Sequence, residues 1–263
     1  MNVVNNINGV IDVVSKSKLF LLVVNFPWLK HVPILKYYGY EKNMAIIEKV
    51  KDLVRKEVAK AEATYNEDDE PSCFVHAYMK KMKNNEYLTL ASCCQELFLA
   101  GQETTAATLR WTMLFMAAHQ DVQSREKINF ASALATLSVC IISLIQAKMP
   151  YTSATLHEIQ RRANIIATHP GIFRRTTTDT HIGDYKIAKD TIVSMDLHQI
   201  HSRDPLFIDP ERFNPDRYLC EDGVTLRKDL IERTIPFGIG KRQCAGEGLA
   251  RVELFIGLTA TLQ

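Results

Sequence analysis

The chain has 263 residues, of which 46% are hydrophobic and 24% charged, a composition typical of a globular protein with a sizeable core. Lysine and arginine outnumber aspartate and glutamate by only 32 to 30, so the charge balance does not predict a nucleic-acid partner. The six cysteines lack the paired spacing of a zinc or disulfide framework, which favours reducing surroundings.

The first half of the chain is predicted to be helical. Residues 26–33 contain two prolines and predict a turn-rich connector that leaves Trp28 on the surface. Apolar residues at three- and four-residue spacing predict a helix over 41–65, and an acidic loop follows at 66–71. A long helix is predicted over 88–119, about 45 Å in length at 1.5 Å per residue.

Two apolar segments bear on membrane insertion. Residues 128–145 carry no charge and approach the lower length limit of a membrane-spanning helix. They also contain an asparagine, a threonine and three serines, which favours a buried helix. The apolar run at 19–24 is too short for a signal sequence or a span.

The second half predicts a mixture of elements. Residues 152–164 have the pattern of a helix. Period-two alternation over 176–201 predicts a small β-hairpin region around a turn at Lys189 and Asp190. Residues 204–221 carry three prolines and predict irregular chain, and 249–262 predict a final helix. The predicted fold class is therefore mainly α with a minor β component.

The segment at 237–246, Phe-Gly-Ile-Gly-Lys-Arg-Gln-Cys-Ala-Gly, predicts more chemistry than any other. It places Cys244 just before a helix, where unpaired N–H groups stabilise a thiolate. Its glycines would let the backbone approach a bulky, flat group, and the nearby Arg242 is suited to a carboxylate. Such a loop is suited to give a metal one anionic sulfur ligand.

Two further segments are ambiguous by themselves. Residues 100–105, Ala-Gly-Gln-Glu-Thr-Thr, put a glycine inside the long helix at a cost of about 1 kcal/mol. This glycine is either a helix-packing residue or a point where the helix opens and leaves a carbonyl unpaired. Glu158 and Arg161 lie on one helix face, and such a pair is usually a surface salt bridge.

Together these segments resemble the cytochrome P-450 heme-thiolate monooxygenases. Residues 237–246 match the signature Phe-x-x-Gly-x-Arg-x-Cys-x-Gly at every specified position, and residues 100–105 resemble the family's oxygen-activating helix. Glu158 to Arg161 matches the Glu-x-x-Arg motif, and all motifs occur in the family's order. The sequences of residues 149–158 and 240–249 resemble those of the animal microsomal branch of the family, which oxidises drugs, fatty acids and steroids.

The resemblance implies heme b as the cofactor, held between the long helix and the helix after the cysteine. Cys244 would be the axial iron ligand, and Thr104 with Glu103 would deliver protons to dioxygen. Glu158 and Arg161 would brace the heme-binding loop with a third residue, for which Arg217 aligns better than Arg212. The remaining implied heme contacts are Arg242 and Arg175 at the propionates, Phe237, Gly238, Gly240, Gly246, Ala100 and Gly101. Ala100, Ile172 and Phe173 would contact substrate.

The resemblance also implies the C-terminal half of the family's fold as a single partial domain. Family members are longer, so the first half, with its membrane anchor and first sheet, is expected to lie outside this sequence. The chain is also expected to stop within the helix after Cys244. Residues 125–146 do not resemble the family's charged helix and look like a replaced segment. The implied parts are lid helices 26–83, oxygen-binding helix 88–119, Glu-x-x-Arg helix 152–164, hairpin 176–201, meander 204–221, and heme-cysteine loop and helix 236–263.

Three functional hypotheses follow. The first is a monooxygenase that inserts one oxygen atom of O2 into a small apolar substrate, with electrons from NADPH passed on by a flavoprotein reductase. The resemblance places such an enzyme at the cytosolic face of the endoplasmic reticulum membrane, in xenobiotic metabolism. The second is a truncated, non-catalytic product that binds heme or a partner chain. The third is a small helical membrane protein that uses residues 128–145.

Overall fold

The computed structural model describes residues 22–23, 26–81, 87–135, 148–166 and 173–262. The chain divides into two compact units, residues 1–103 and 104–263. The described residues are mainly helical, as predicted, with short antiparallel strands. The helices are α1 Lys42–Ala63, α2 Phe74–Lys81, α3 Tyr87–Ala118, α4 Gln120–Ala135, α5 Pro150–Ala163, α6 Leu197–Arg203, α7 Lys228–Arg233 and α8 Glu247–Thr261. The strands are β1 Phe173–Arg175, β2 Thr180–Ile182, β3 Tyr185–Ile187 and β4 Ile192–Ser194.

The first unit is built on α1, α2 and the beginning of α3. A 3-10 turn at Pro27–His31 and a π-helical segment at Leu35–Glu41 lead into α1, and Trp28 is exposed as predicted. One apolar cluster joins the three helices, because each contributes one face to it. Its buried members are Val50, Val54, Val58, Val75 and Leu90.

The second unit contains a larger core, around which α5 and the irregular segment that follows α6 are packed. Phe213 of that segment stacks on Phe115 of α3 with ring centroids 4.6 Å apart. Gly257 of α8 lies so close to α3 that a Cβ there would overlap the side chain of Leu109. The buried apolar members of this core include Met116, Val122, Tyr151, Ala154, Ile159, Phe207, Phe213, Tyr218, Leu230 and Leu258.

The strand pairing differs from the predicted hairpin around Lys189 and Asp190. Strand β2 pairs with β3 across a turn at Gly183, whereas β1 pairs with β4, so the turn at Asp190 connects β3 and β4, which do not pair with each other. Residues 197–203 form α6 and not a strand, because Asp196 caps the helix by accepting the N–H of Gln199 at 3.1 Å. Alternation identified the extended segments but not their partners.

The structure also differs from the prediction of a buried helix over 128–145. Helix α4 begins eight residues earlier, at Gln120, and Ile128 is 68% exposed. Its buried face contains Val122 and the carboxylate of Glu126, which accepts the Thr152 hydroxyl at 2.6 Å. Residues 136–147 lie outside the described part. Among the described residues no helix is both long and apolar enough to cross a membrane.

A buried ion network ties α5 to the irregular segment, and we call its three residues, Glu158, Arg161 and Arg217, the Glu158 network. The Glu158 side chain is 0% exposed and those of Arg161 and Arg217 are 1% and 6% exposed. Arg161 donates from Nε and Nη2 to the two carboxylate oxygens at 2.8 Å each. Arg217 Nε approaches the same carboxylate at 3.2 Å.

Most of the remaining donors of both guanidinium groups are also occupied. Arg161 Nη1 donates to the His201 carbonyl and Nη2 to the Pro210 carbonyl, both at 2.7 Å. Arg217 donates to three carbonyls, including that of Arg212 at 2.9 Å. The structure therefore brings together Glu158, Arg161 and Arg217, while Arg212 contributes only its backbone oxygen. The pair is fully buried, unlike the surface bridge that its spacing alone favours.

Glu158→Gln should destabilise the second unit by ~3–5 kcal/mol, because two buried guanidinium groups would lose their counter-charge. Trp111 lies in this unit and Trp28 in the other, and the chain has two tryptophans. Urea unfolding followed by Trp111 fluorescence in a Trp28→Phe background measures the effect. The control Glu211→Gln removes a carboxylate that is 74% exposed and pairs with Arg162, so it should leave the transition unchanged. Equal midpoints for both variants would contradict the assignment.

Buried His157 should make stability depend on pH. Its ring stacks on Tyr218 at 5.5 Å, and burial lowers its pKa to about 4, aided by the charge of Arg251. Between pH 6.5 and about 4 the unfolded chain therefore binds a proton that the folded chain rejects, so stability falls as pH falls through this window, by roughly 3 kcal/mol.

The test is His157→Phe, which keeps an aromatic ring on Tyr218 and removes the titration. In the Trp111 assay this variant should lose less stability than the parent chain between pH 6.5 and 4.5, and buried His201, whose pKa burial also lowers to about 4, accounts for part of the loss that remains. An identical pH dependence in both chains would show that other groups control acid unfolding.

Candidate functional site

The loop before α8 is folded back on itself by backbone hydrogen bonds. The Cys244 N–H donates to the Phe237 carbonyl at 2.9 Å, which brings the two ends of the loop together. Between them, residues Gly240–Arg242 form a 3-10 turn closed by the Gln243 N–H at 3.0 Å from the Gly240 carbonyl. The loop therefore holds the Cys244 backbone in one defined place.

Two glycines are required by the backbone conformation of this loop. Gly238 has φ of 72° and Gly240 has φ of 77°, in the left-handed region that favours glycine. A Cβ at either position would meet nothing within 4 Å, so the protein itself does not crowd them. At Gly246 a Cβ would lie 3.9 Å from the Cys244 sulfur, so this glycine leaves one side of the sulfur open.

Cys244 is exposed and forms no disulfide. It lies two residues before Gly246, the N-cap residue of α8, which provides no side-chain cap, so the first N–H groups of this helix remain available. The positive end of the helix favours negative charge next to it. An open thiol in this position can serve as one anionic ligand to a metal that brings its other ligands with it.

The described residues contain no group of three or more His, Cys, Asp or Glu that could hold a bare metal ion. A single sulfur in front of open space instead fits a flat, metal-bearing cofactor that Gly238 and Gly240 leave room for. Heme is such a group, and on this side the residues present fit it.

The two arginines predicted to bind propionates are exposed. Arg242 ends the 3-10 turn two residues before Cys244, and Arg175 lies on β1 opposite Ile192 of β4. Neither arginine forms an ion pair with the described part of the chain. Both guanidinium groups can therefore donate hydrogen bonds to a carboxylate.

Helix α3 carries the predicted proton-delivery residues and is continuous from Tyr87 to Ala118. Glu103 and Thr104 are half-buried, and the Thr104 carbonyl accepts the Thr108 hydroxyl at 2.9 Å. The predicted opening of the helix at Gly101 is not observed. Among the described residues, a Cβ added at Gly101 would meet nothing within 4 Å, so the described chain does not pack against this glycine.

The predicted substrate contacts are only partly placed. Ala100 is exposed on α3. Ile172 lies outside the described residues, and for Phe173 only the backbone, in β1, is described.

The sequence prediction missed a hydrogen-bonded group next to the cysteine. Glu247 accepts from Gln243 on one side and from Arg251 on the other. The four-residue spacing of these three side chains is the signal that could have revealed it.

Comparison with known proteins identifies the family. A family model described as Cytochrome P450 matches residues 2–263. Cytochrome P450 2J2 of Homo sapiens is 36% identical over 199 residues, which cover 72% of this chain and 38% of that protein. Cytochrome P450 2U1 of Homo sapiens is 33% identical over 260 residues, covering 92% and 45%, and Cytochrome P450 2C8 of Homo sapiens is 32% identical over 259 residues, covering 92% and 51%.

The chain spans about half the length of the curated relatives it matches. The family match extends over nearly the whole of this chain, including the cysteine loop, α3 and the Glu158 network. The chain belongs to the cytochrome P450 family.

Proposed function

We propose that this chain carries the cysteine side of a heme-thiolate monooxygenase site that inserts one oxygen atom of O2 into a small apolar substrate. The observation that carries the proposal is the exposed Cys244 thiol, on a loop whose left-handed glycines leave open space at the start of α8. Heme, when bound through a thiolate, supplies the iron that activates O2.

The residues of this chain bind and orient the cofactor. Cys244 Sγ is the iron ligand, and the bond from its N–H to the Phe237 carbonyl fixes the direction of the ligand. Arg242 and Arg175 donate hydrogen bonds to the propionates, because both are exposed and form no ion pair within the described chain. Because Gly246 has no side chain, it leaves one side of the Cys244 sulfur open to the cofactor.

The distal side of the site is assigned to α3. The Thr104 hydroxyl and the Glu103 carboxyl hold and transfer the protons that oxygen cleavage consumes. Ala100 and Gly101 present small surfaces next to them, and Ile172 and Phe173 supply apolar contacts to the substrate.

The electrons come from NADPH through a separate flavoprotein reductase. The complete enzyme acts at the cytosolic face of the endoplasmic reticulum membrane, in the metabolism of foreign compounds. Support for these assignments comes from family membership and from the animal relatives named above.

The main test is the reduced, CO-bound difference spectrum of the purified chain loaded with hemin. The parent chain should give the strongly red-shifted Soret band of thiolate-ligated heme, and Cys244→Ala should abolish it, because residues 237–246 contain no other cysteine. Cys220→Ser is the matched control, since Cys220 is also exposed and unpaired. A red-shifted band that persists in Cys244→Ala would disprove the ligand assignment.

The propionate assignment has a separate test in hemin affinity. Arg242→Ala should weaken hemin binding roughly 10- to 100-fold, since a hydrogen bond between charged groups contributes about 1.5–3 kcal/mol. Hemin dimethyl ester lacks the carboxylates, so the parent chain and Arg242→Ala should bind it equally. Lys241→Ala, which removes an adjacent exposed charge, is the control. If Arg242→Ala weakened both ligands equally, the arginine would act through the fold of the loop.

A further inference from the structure

Four side chains join the two ends of the cysteine loop to the first two turns of α8. We call Phe237, Gln243, Glu247 and Arg251 the Glu247 cluster. Gln243 Nε2 donates to Glu247 Oε2 at 2.5 Å. Arg251 approaches Glu247 Oε1 with Nε at 2.8 Å and Nη2 at 2.7 Å. The carboxylate thus uses one oxygen for the loop and the other for its own helix.

Arg251 also reaches the opposite end of the loop. Its Cζ lies 5.2 Å from the ring centroid of Phe237, the residue whose carbonyl accepts the Cys244 N–H at 2.9 Å. Gln243 directly precedes Cys244 in the chain. The cluster therefore includes Gln243, the residue before Cys244, and Phe237, whose carbonyl accepts the Cys244 N–H. Opening the loop would break contacts at both of its ends.

Three of the cluster's residues lie at or beside the start of α8, and α8 packs against α5. His157 of α5 is buried, and the charges of Arg251 and Glu247 are close enough to influence its pKa. Partial burial raises the pKa of Glu247, but hydrogen bonds from Gln243 and Arg251 outweigh this and hold it below its ordinary value. Glu247 is therefore held as a carboxylate, with the guanidinium group of Arg251 beside it.

The cluster is too exposed to contribute much to global stability. The Arg251 and Glu247 side chains are 39% and 22% exposed, and ion pairs that solvent reaches contribute little to the stability of the whole fold. A loop, however, opens locally at a much lower free energy than the whole fold does. A contribution of about 1 kcal/mol there changes the open population about fivefold.

We propose that Glu247 is a positioning residue that, through Gln243 and Arg251, keeps the Cys244 loop closed before the cofactor arrives. In this role it sets the fraction of bound heme that has the cysteine sulfur as its ligand. The inference rests on the proposed function insofar as Cys244 is the heme ligand.

The first measurement uses the chain without cofactor. Hydrogen exchange at the Cys244 amide reports the opening of its bond to Phe237. Gln243→Leu and Glu247→Ala should each raise this exchange two- to fivefold, and the double variant should raise it no more than Glu247→Ala alone, because that variant has already lost the contact with Gln243. Gln243→Lys, whose Nζ can donate a hydrogen bond to Glu247, should leave hydrogen exchange at the Cys244 amide close to that of the parent chain.

Glu253→Ala is the matched control, since Glu253 is an exposed glutamate of the same helix with no hydrogen bond to the described residues. Exchange in Gln243→Leu and Glu247→Ala equal to that of the control would overturn the proposal. So would fully additive effects in the double variant. Unchanged urea midpoints, followed by Trp111, would show that the variants act on the loop alone.

The second measurement is the reduced, CO-bound spectrum after loading with hemin. Gln243→Leu and Glu247→Ala should shift part of the Soret intensity from the red-shifted position to the ordinary one, and Glu253→Ala should not. If the parent chain shows no red-shifted band, the proposed function fails, while the exchange experiment still tests the positioning role. If the parent chain shows the band and both variants match it, the positioning role fails alone.

Discussion

A carboxylate with no exposed surface, held between two guanidinium groups, is the interaction on which the second unit depends. Taking the charges of Glu158, Arg161 and Arg217 out of water is costly, and the cost is offset only because nearly every donor has a partner. Since the irregular segment has little regular structure of its own, these bonds determine its path across α5. No single member can be removed without leaving a buried charge.

The same network leads to the cysteine loop through consecutive hydrogen bonds. Arg161 donates to the His201 carbonyl, and His201 Nε2 accepts the Ile235 N–H at 3.3 Å. The Ile235 carbonyl in turn accepts the Gly238 N–H at 3.1 Å, at the start of the loop. The buried network thus fixes the approach to the loop, and the more exposed Glu247 cluster fixes its exit into α8. The buried Glu158 network therefore contributes more to the stability of the second unit than the exposed Glu247 cluster does.

Sequence reasoning was most successful where chemistry depends on local spacing. The i,i+3 pair of Glu158 and Arg161 and the position of Cys244 before a helix are both readable from residue order, and the structure has them. The burial of the pair was not readable, because it depends on chain about fifty residues away. The preference for Arg217 over Arg212 came from resemblance, and the contact with Glu158 agrees with it.

The failures have a common physical origin, which is that partners distant in sequence decide the outcome. Period-two alternation located strands near Asp190, but it could not show that β1 would pair with β4 around an inner hairpin. The uncharged run that starts at residue 128 predicted the wrong beginning for a helix that starts at Gln120. That helix can bury Glu126 because the Thr152 hydroxyl of α5 donates a hydrogen bond to its carboxylate. Gly101 was interpreted as a packing residue or as a point where the helix opens, yet α3 is continuous and a Cβ added there would meet no described neighbour within 4 Å.

The central claim is that this chain presents one cysteine sulfur, already in position, to the iron of a heme. Iron K-edge X-ray absorption of the hemin-loaded chain tests it most directly, because it reports the atoms bonded to the iron. The account predicts one sulfur in the first coordination shell, lost in Cys244→Ser and retained in Cys220→Ser. A first shell of nitrogen and oxygen alone in the parent chain would contradict the account.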